Sequence, residues 1–279
     1  MTTSRDAIER IRRRWAARGD IAAIEAQLRA RGSDPDNLVL ADLAMIDHLH
    51  SGQLAATEAF ASWVAPAEGA RVLDLGAGLG GSARYLAAEN GCRVTAIELV
   101  AELHETALEL TRRLGLEDRV EHRCCDALTP EPAKHRFDLV WLQHVDMHVP
   151  DKLALYHCCT AALAPGGRIV WHDWLAGPGG EPRYPTPWSH TGRISYLVTP
   201  EQFRQSLAAA GLAERRFESI GELTRSWFAA TGDGLRRVLR KPEVKGRARL
   251  EQVLVEIDNV LANLEQERLL PFFGEAVLD

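Results

Sequence analysis

The chain has no apolar run approaching the roughly 18 residues that cross a bilayer, so no transmembrane helix is expected. Its first ten residues are charged and lack an apolar core, which argues against a secretory signal and for a soluble, cytoplasmic protein. Basic residues are short: 33 Lys and Arg stand against 39 Asp and Glu, a net charge of -6. Nucleic acid needs a basic face, so it is not expected as a partner, and neither is a membrane. The arginines that do cluster (Arg5, Arg10, Arg12, Arg13, Arg14, Arg18) read as the solvated face of a helix. Cysteine is scarce and odd in number: Cys92, Cys124, Cys125, Cys158 and Cys159. An odd count in a reducing compartment speaks against a disulfide framework. Neighbours on a strand point to opposite faces, so Cys124 and Cys125 cannot readily share a metal. Internal repeats and low-complexity segments are absent. What remains is 279 residues, 46% hydrophobic and 26% charged, enough for a full core as one large domain or two small ones.

Helical spacing of Ile8, Ile11, Trp15, Ile21, Ile24 and Leu28 predicts a helix over 4–30, broken at 31–37 by Gly32 and Pro35. A second helical stretch is expected over 38–64. From Ala70 the pattern becomes strand and helix in alternation. Strands are expected at 71–75, 92–98, 120–124, 137–142 and 168–172, with helices at 81–89, 101–114 and 151–163. This spacing implies parallel strands and a doubly wound α/β sheet. Residues 177–191, rich in Pro, Gly and aromatics, read as a long functional loop. A helix at 201–210, a strand near 213–220 and an amphipathic helix at 247–267 follow, and 272–278 can close the sheet. The last helix carries Leu250, Val253, Leu254, Ile257, Leu261 and Leu264 on one face, as a lid or as an interface, so a homodimer is one option.

Strand one runs into glycines: V-L-D-L-G-A-G-L-G-G, Val72 to Gly81. Gly76, Gly78 and Gly81 satisfy G-x-G-x-x-G, a weak signal alone. Asp74 decides how to read it. A carboxylate two residues before the first glycine repels a pyrophosphate but suits a cation. S-adenosylmethionine carries a sulfonium and an ammonium, with a single carboxylate for the helix N-terminus to receive. D-x-G-x-G at a strand end therefore points to that cofactor, held by Asp74, Gly76, Ala77 and Gly78. Glu98, ahead of Leu99, closes strand two and can accept both ribose hydroxyls. Asp126, ahead of Ala127, follows strand three and can accept the adenine amino group.

The run VLDLGAGLGGSARYLA, with IEL after strand two and CDAL after strand three, resembles the class I S-adenosylmethionine-dependent methyltransferases. Within them the chain is similar to the small-molecule group that includes the sarcosine/dimethylglycine N-methyltransferases, through GGSARYLA and FDLVWLQHVDMH. The resemblance covers about residues 40–220. It implies a Rossmann-like seven-stranded sheet whose last strand is antiparallel. N-terminal helices would cap it (1–64), the core would span 65–221, and a helical insertion (222–270) would precede the final strand (271–279). That group commonly carries Q-D and a later His after strand four; here the text is Q-H-V-D-M-H, so an amino-acid acceptor does not follow.

Methyl transfer needs alignment and desolvation, and a base only where the nucleophile must lose a proton. Gln143 is expected near the methyl group, with His144 as first choice of general base and His148 and His172 as competitors. A metal site from His144, His148 and Asp173 is conceivable, but the reaction needs none and none is expected. Trp174, Tyr184 and Trp188 can wall an apolar acceptor or face an amine. His48, His50 and Gly52 in DHLHSG are expected near the cofactor tail. The expected function is methyl transfer to N or O of a small molecule. An NAD-dependent oxidoreductase, disfavoured by Asp74 and by the lack of a Y-x-x-x-K pair, is the first alternative. A cofactor-binding protein that has lost methyl transfer is the second.

Overall fold

A computed structural model describes residues 4–128 and 136–279. Seven strands form one sheet in the order β3-β2-β1-β4-β5-β7-β6. They are β1 (Arg71–Leu75), β2 (Arg93–Glu98), β3 (Val120–Cys124), β4 (Phe137–Gln143), β5 (Leu163–Ala176), β6 (Leu212–Ser219) and β7 (Leu269–Leu278). The first five pair in parallel; β7 slots between β5 and β6, antiparallel to both. The doubly wound sheet with an antiparallel last strand is therefore as expected. Strand order reverses between β1 and β4, and the carboxyl ends of these two strands open the crevice where such sheets bind ligands.

Both faces of the sheet are covered. One core gathers Val140, Leu142, Tyr156, Ile169, Trp171 and Phe203, the other Phe60, Val72, Leu86, Val94, Trp141 and Phe273. The helices over them include α5 (Gly81–Glu89), α6 (Ala101–Arg113), α7 (Lys152–Ala162) and α8 (Pro200–Ala209). Near-continuous burial of β1 and β4 is what a sheet covered on both faces demands.

Four departures from the sequence reading have identifiable physical causes. The helix expected over 4–30 is two helices, α1 (Ser4–Trp15) and α2 (Ile21–Ala30), joined by a 3-10 turn at Ala16–Gly19. Gly19 presses on α6, where a Cβ would stand 2.3 Å from the Glu102 carbonyl, and the Asp20 carboxylate restarts the helix by accepting the N–H groups of Ala22 and Ala23. The helix expected over 38–64 shrinks to α3 (Leu40–Leu43) and α4 (Gln53–Val64), and residues 44–52 form a loop over the sheet's carboxyl edge. Strand β5 is longer than 168–172. Residues 164–167 lie between its pairings with Phe137 and Leu139, and β7 extends it to Ala176. That pairing also starts β7 at Leu269, before the expected residue 271.

Between β6 and β7 lie two long helices, α9 (Gly221–Leu239) and α10 (Arg247–Glu265). The apolar face of α10 is used within the chain: Ile257, Val260 and Leu264 pack with Phe228, Trp174, Trp188 and Met147. Among the described residues no helix is long and apolar enough to cross a membrane.

Candidate active site

A cavity of about 330 Å³ opens at the carboxyl ends of β1 and β4. All the residues expected to hold a cofactor line it: Asp74, Gly76, Ala77, Gly78, Glu98, Leu99, Asp126, Ala127 and Gln143. The turn after β1 is left-handed at Gly76 (φ +69°), Gly78 (φ +58°) and Gly80 (φ +79°). Only glycine adopts this without strain. At Gly76 space is also closed, since a Cβ would stand 2.5 Å from Cγ2 of Val145. Glu98 braces the turn: its Oε2 accepts from the Gly78 N–H at 2.8 Å and its Oε1 from the Val100 N–H at 2.8 Å. Asp126 accepts from the Leu128 N–H at 2.9 Å.

Asp74 is 2% exposed, and its Oδ2 has no hydrogen-bond partner among the described residues. Burial, with the Glu98 carboxylate beside it, pushes its carboxyl up to about 8. A buried, unpartnered carboxylate on a cavity wall is costly unless a cation completes it. The same observation tests the fit of the expected cofactor. A sulfonium or ammonium satisfies Asp74, and a pyrophosphate does not.

Arg84, on α5, locks the glycine turn to its surroundings. It is fully buried, and Nη2 donates to the Leu79 carbonyl at 2.6 Å and to Asp47 Oδ2 at 2.7 Å, while Nη1 donates to Thr111 Oγ1 at 3.1 Å. Sequence reading missed it, although it stands inside GGSARYLA.

The four side chains expected to do chemistry divide sharply. Gln143, His144 and His148 line the cavity, whereas His172 does not. His172 is fully buried behind Gln143, packed against Phe60 and Phe273, and its Nδ1 lies 3.0 Å from Gln143 Nε2. Its placement at the reacting centre is therefore corrected. Gln143 is oriented by the Trp141 indole, a group that can only donate. Its Oε1 accepts from the Trp141 indole N–H at 3.2 Å and the Ser82 hydroxyl at 2.7 Å, which leaves Nε2 for His172.

His144 sits in the left-handed region (φ +60°), a strain that persists where surroundings over-determine it. Its N–H donates to the His172 carbonyl at 2.8 Å, and Asp173 Oδ2 accepts from the next two N–H groups, Val145 and Asp146. Asp173 is thus committed to backbone, and no grouping arranged to hold a metal exists among the described residues. Both nitrogens of the His144 ring are occupied. Nδ1 accepts from the Trp174 indole N–H at 3.3 Å, so the neutral ring carries its proton on Nε2, which faces Ser51 Oγ at 2.8 Å. Burial, with His172 beside it, holds its pKa well below the ordinary value, so the ring is neutral.

His148 differs. Its Nδ1–H donates to the Ile194 carbonyl at 2.7 Å, so Nε2 carries the lone pair, and that atom has no partner among the described residues. Burial lowers its pKa to about 4, so the ring is neutral and Nε2 unprotonated at neutral pH.

The loop at 44–52 brings residues that sequence reading undervalued. His50, Ser51 and Gly52 line the cavity; His48 stays behind it. Thr57 Oγ1 ties this loop down, 3.0 Å from His48 Nδ1 and 3.1 Å from His50 Nε2. Of the aromatics, Trp188 lines the cavity with Trp174 stacked behind it at 5.1 Å, and Tyr184 packs elsewhere. The rest of the wall comes from the N-terminal and inserted helices, through Ile8, Ile11 and Trp15 of α1, Trp227, Phe228 and Thr231 of α9, and Val253 and Ile257 of α10.

The methyltransferase domain family matches residues 47–214, from the cavity loop to the start of β6. The chain belongs to that family. It is 32% identical over 152 residues to the glycine/sarcosine/dimethylglycine N-methyltransferase of Actinopolyspora halophila, covering 54% of this chain and 27% of that protein. It is 32% identical over 149 residues to the sarcosine/dimethylglycine N-methyltransferase of Halorhodospira halochloris, covering 53% of each. The chain thus spans about a quarter and about half of these relatives' lengths. The fold is shared with phosphoethanolamine N-methyltransferase 2 of Haemonchus contortus, solved with phosphomonomethylethanolamine and S-adenosylhomocysteine. That similarity has a TM-score of 0.72 at 21% identity and covers 83% of this chain and 54% of that one.

Proposed function

We propose that this methyltransferase-family chain transfers the methyl group of S-adenosylmethionine to a nitrogen or oxygen of a small molecule. The observation that carries the reading is the buried, unpartnered carboxylate of Asp74 beneath a left-handed glycine turn. Asp74 faces the cofactor's cationic end. The start of α5 receives its carboxylate, Glu98 its ribose hydroxyls and Asp126 its adenine. When bound, the cofactor supplies an already activated methyl group. The chain supplies a dry chamber closed by α1, α9 and α10, alignment, and a proton acceptor.

His148 is the general base in this reading. Its ring is fixed by the Ile194 carbonyl and its Nε2 is free, whereas His144 has no free nitrogen. His148→Asn keeps a donor for the Ile194 carbonyl and removes the atom at Nε2. A positioned base contributes about 100-fold or more. The variant should lose about that factor in kcat while its Kd for S-adenosylhomocysteine stays within about twofold. An unchanged kcat removes His148 from the chemistry. Because the base works in its neutral form, its titration leaves kcat flat from pH 8 to 5 and depresses it only toward pH 4.

Gly76→Ala should also be damaging. A left-handed alanine costs about 1–2 kcal/mol, and its Cβ meets Val145. Calorimetry should show at least a tenfold weaker S-adenosylhomocysteine complex, and an unchanged Kd would remove the turn from the binding site. The reaction itself is tested with S-adenosylmethionine bearing a deuterated methyl group and a small-metabolite extract. A labelled product supports the reading; reduction of NAD by an extract component, with no label transferred, overturns it.

A further inference from the structure

Four charged side chains line the cavity, and all are acids: Asp47, Asp74, Glu98 and Asp126. Asp74, Glu98 and Asp126 stand at the strand ends assigned above to the cofactor, and Asp47, in the 44–52 loop, is paired with Arg84 at 2.7 Å. The opposite part is walled by Met147, Trp188, Phe228, Thr231, Val253 and Ile257, most of which belong to one apolar cluster. Among the described residues no lysine or arginine lines the cavity at all. On the covering helices, Arg14 donates to the Pro187 carbonyl and the Glu256 carboxylate lies 3.2 Å from His190 Nε2; neither lines the cavity. Lys152, below His148, is buried against Asp146 at 2.7 Å.

Among the described residues an anionic acceptor, whether carboxylate or phosphate, would find no cation lining this chamber, and burying an unpaired charge is prohibitive. An ammonium would likewise find no carboxylate among the described residues lining its apolar part. One face of Trp188 is already covered by Trp174, which reduces the aromatic surface a cation could use. His148 is on this wall, and its Nε2 has no hydrogen-bond partner among the described residues.

We infer that the methyl acceptor is an uncharged molecule with an apolar skeleton that presents one hydroxyl to His148 Nε2, so that the chain is an O-methyltransferase of phenol-like or alcohol substrates. This rests on the methyl-transfer reading above. The acceptor oxygen bonds to the methyl carbon, and the carbon–sulfur bond breaks with its electron pair left on sulfur. The hydroxyl proton passes to His148 Nε2. The low basicity of that ring suits an acidic hydroxyl, whose proton leaves as the new bond forms, and not an alkylammonium.

The test uses three probes that share one skeleton and differ in charge: 2-naphthol, 2-naphthoate and 2-naphthylmethylamine. Each is titrated by calorimetry into the full chain saturated with S-adenosylhomocysteine. 2-Naphthol is expected to bind at least tenfold more tightly than the other two, and deuterated-methyl S-adenosylmethionine should convert it to labelled 2-methoxynaphthalene. Thr231→Lys places an ammonium on the chamber wall, distant from the cofactor acids. It should weaken 2-naphthol and strengthen 2-naphthoate at least tenfold, with the S-adenosylhomocysteine Kd unchanged. Equal or tighter binding of either charged probe by the parent protein overturns the inference, as does binding of none. Failure of S-adenosylhomocysteine itself to bind would instead overturn the methyl-transfer reading.

Discussion

Asp74→Asn lowers affinity for S-adenosylmethionine and S-adenosylhomocysteine by about 10- to 100-fold. The substitution keeps shape and removes charge. Hydrogen bonds to charged groups are worth about 1.5–3 kcal/mol, and each 1.4 kcal/mol is about tenfold. The ligand-free variant should melt no lower than the parent, because Asp74 is a burden to the empty fold: its carboxyl stands at about 8 against about 3.9 in an unfolded chain. Between those values the folded protein holds a proton that the unfolded chain has released. The stability of the ligand-free protein therefore falls as pH rises from about 4 to 8 and levels above. A cationic ligand drives the same carboxyl to its charged form, so affinity rises over the upper part of that window. The thermal upshift on adding S-adenosylhomocysteine should thus widen between pH 6 and 8 in the parent and stay flat in Asp74→Asn. Equal affinity and equal pH dependence in the two proteins would remove Asp74 from the cofactor site.

Arg84→Met should be the most destabilising single change near the site. Removing one partner from a buried ion pair costs about 3–5 kcal/mol. For domains of this size that is a drop of about 10 °C in Tm. Arg84 is fully buried between Asp47, Leu79, Ala107 and Thr111, so no water replaces it. Burial already pushes Asp47 upward with Arg84 present. Without Arg84, Asp47 takes a proton, which limits the loss. Because Arg84 holds the Leu79 carbonyl, the glycine turn loosens and S-adenosylhomocysteine binding weakens in the same variant. Thermal unfolding and calorimetry check both effects. A variant melting within about 2 °C of the parent would show that the pair does not hold the turn.

What was legible in the sequence is what depends on neighbours in the chain. Asp74 precedes its glycines by two residues, Glu98 and Asp126 end their strands, and a parallel sheet brings strand ends together. All of them reach one cavity. The alternation of strand and helix carried the topology for the same reason. What was hidden depends on contacts between distant residues. The break at Gly19 follows from its approach to Glu102 of α6. The length of β5 is set by β7, about a hundred residues later. The choice among histidines is the clearest case. His144 and His148 are four residues apart and equivalent on paper. Trp174 and Ser51 occupy the nitrogens of one, while Ile194 takes only one nitrogen of the other. Spacing carries no trace of that. Ser51, Thr57 and Arg84 were overlooked because ordinary polar residues acquire their roles only when the 44–52 loop folds over the sheet edge.

Calorimetric titration of S-adenosylmethionine and, separately, NAD into this chain decides which cofactor the glycine turn and Asp74 hold. One saturable site for S-adenosylmethionine is expected, with proton uptake by buffer that vanishes in Asp74→Asn and no binding of NAD. Saturable binding of NAD, or no binding of S-adenosylmethionine, would contradict the S-adenosylmethionine assignment.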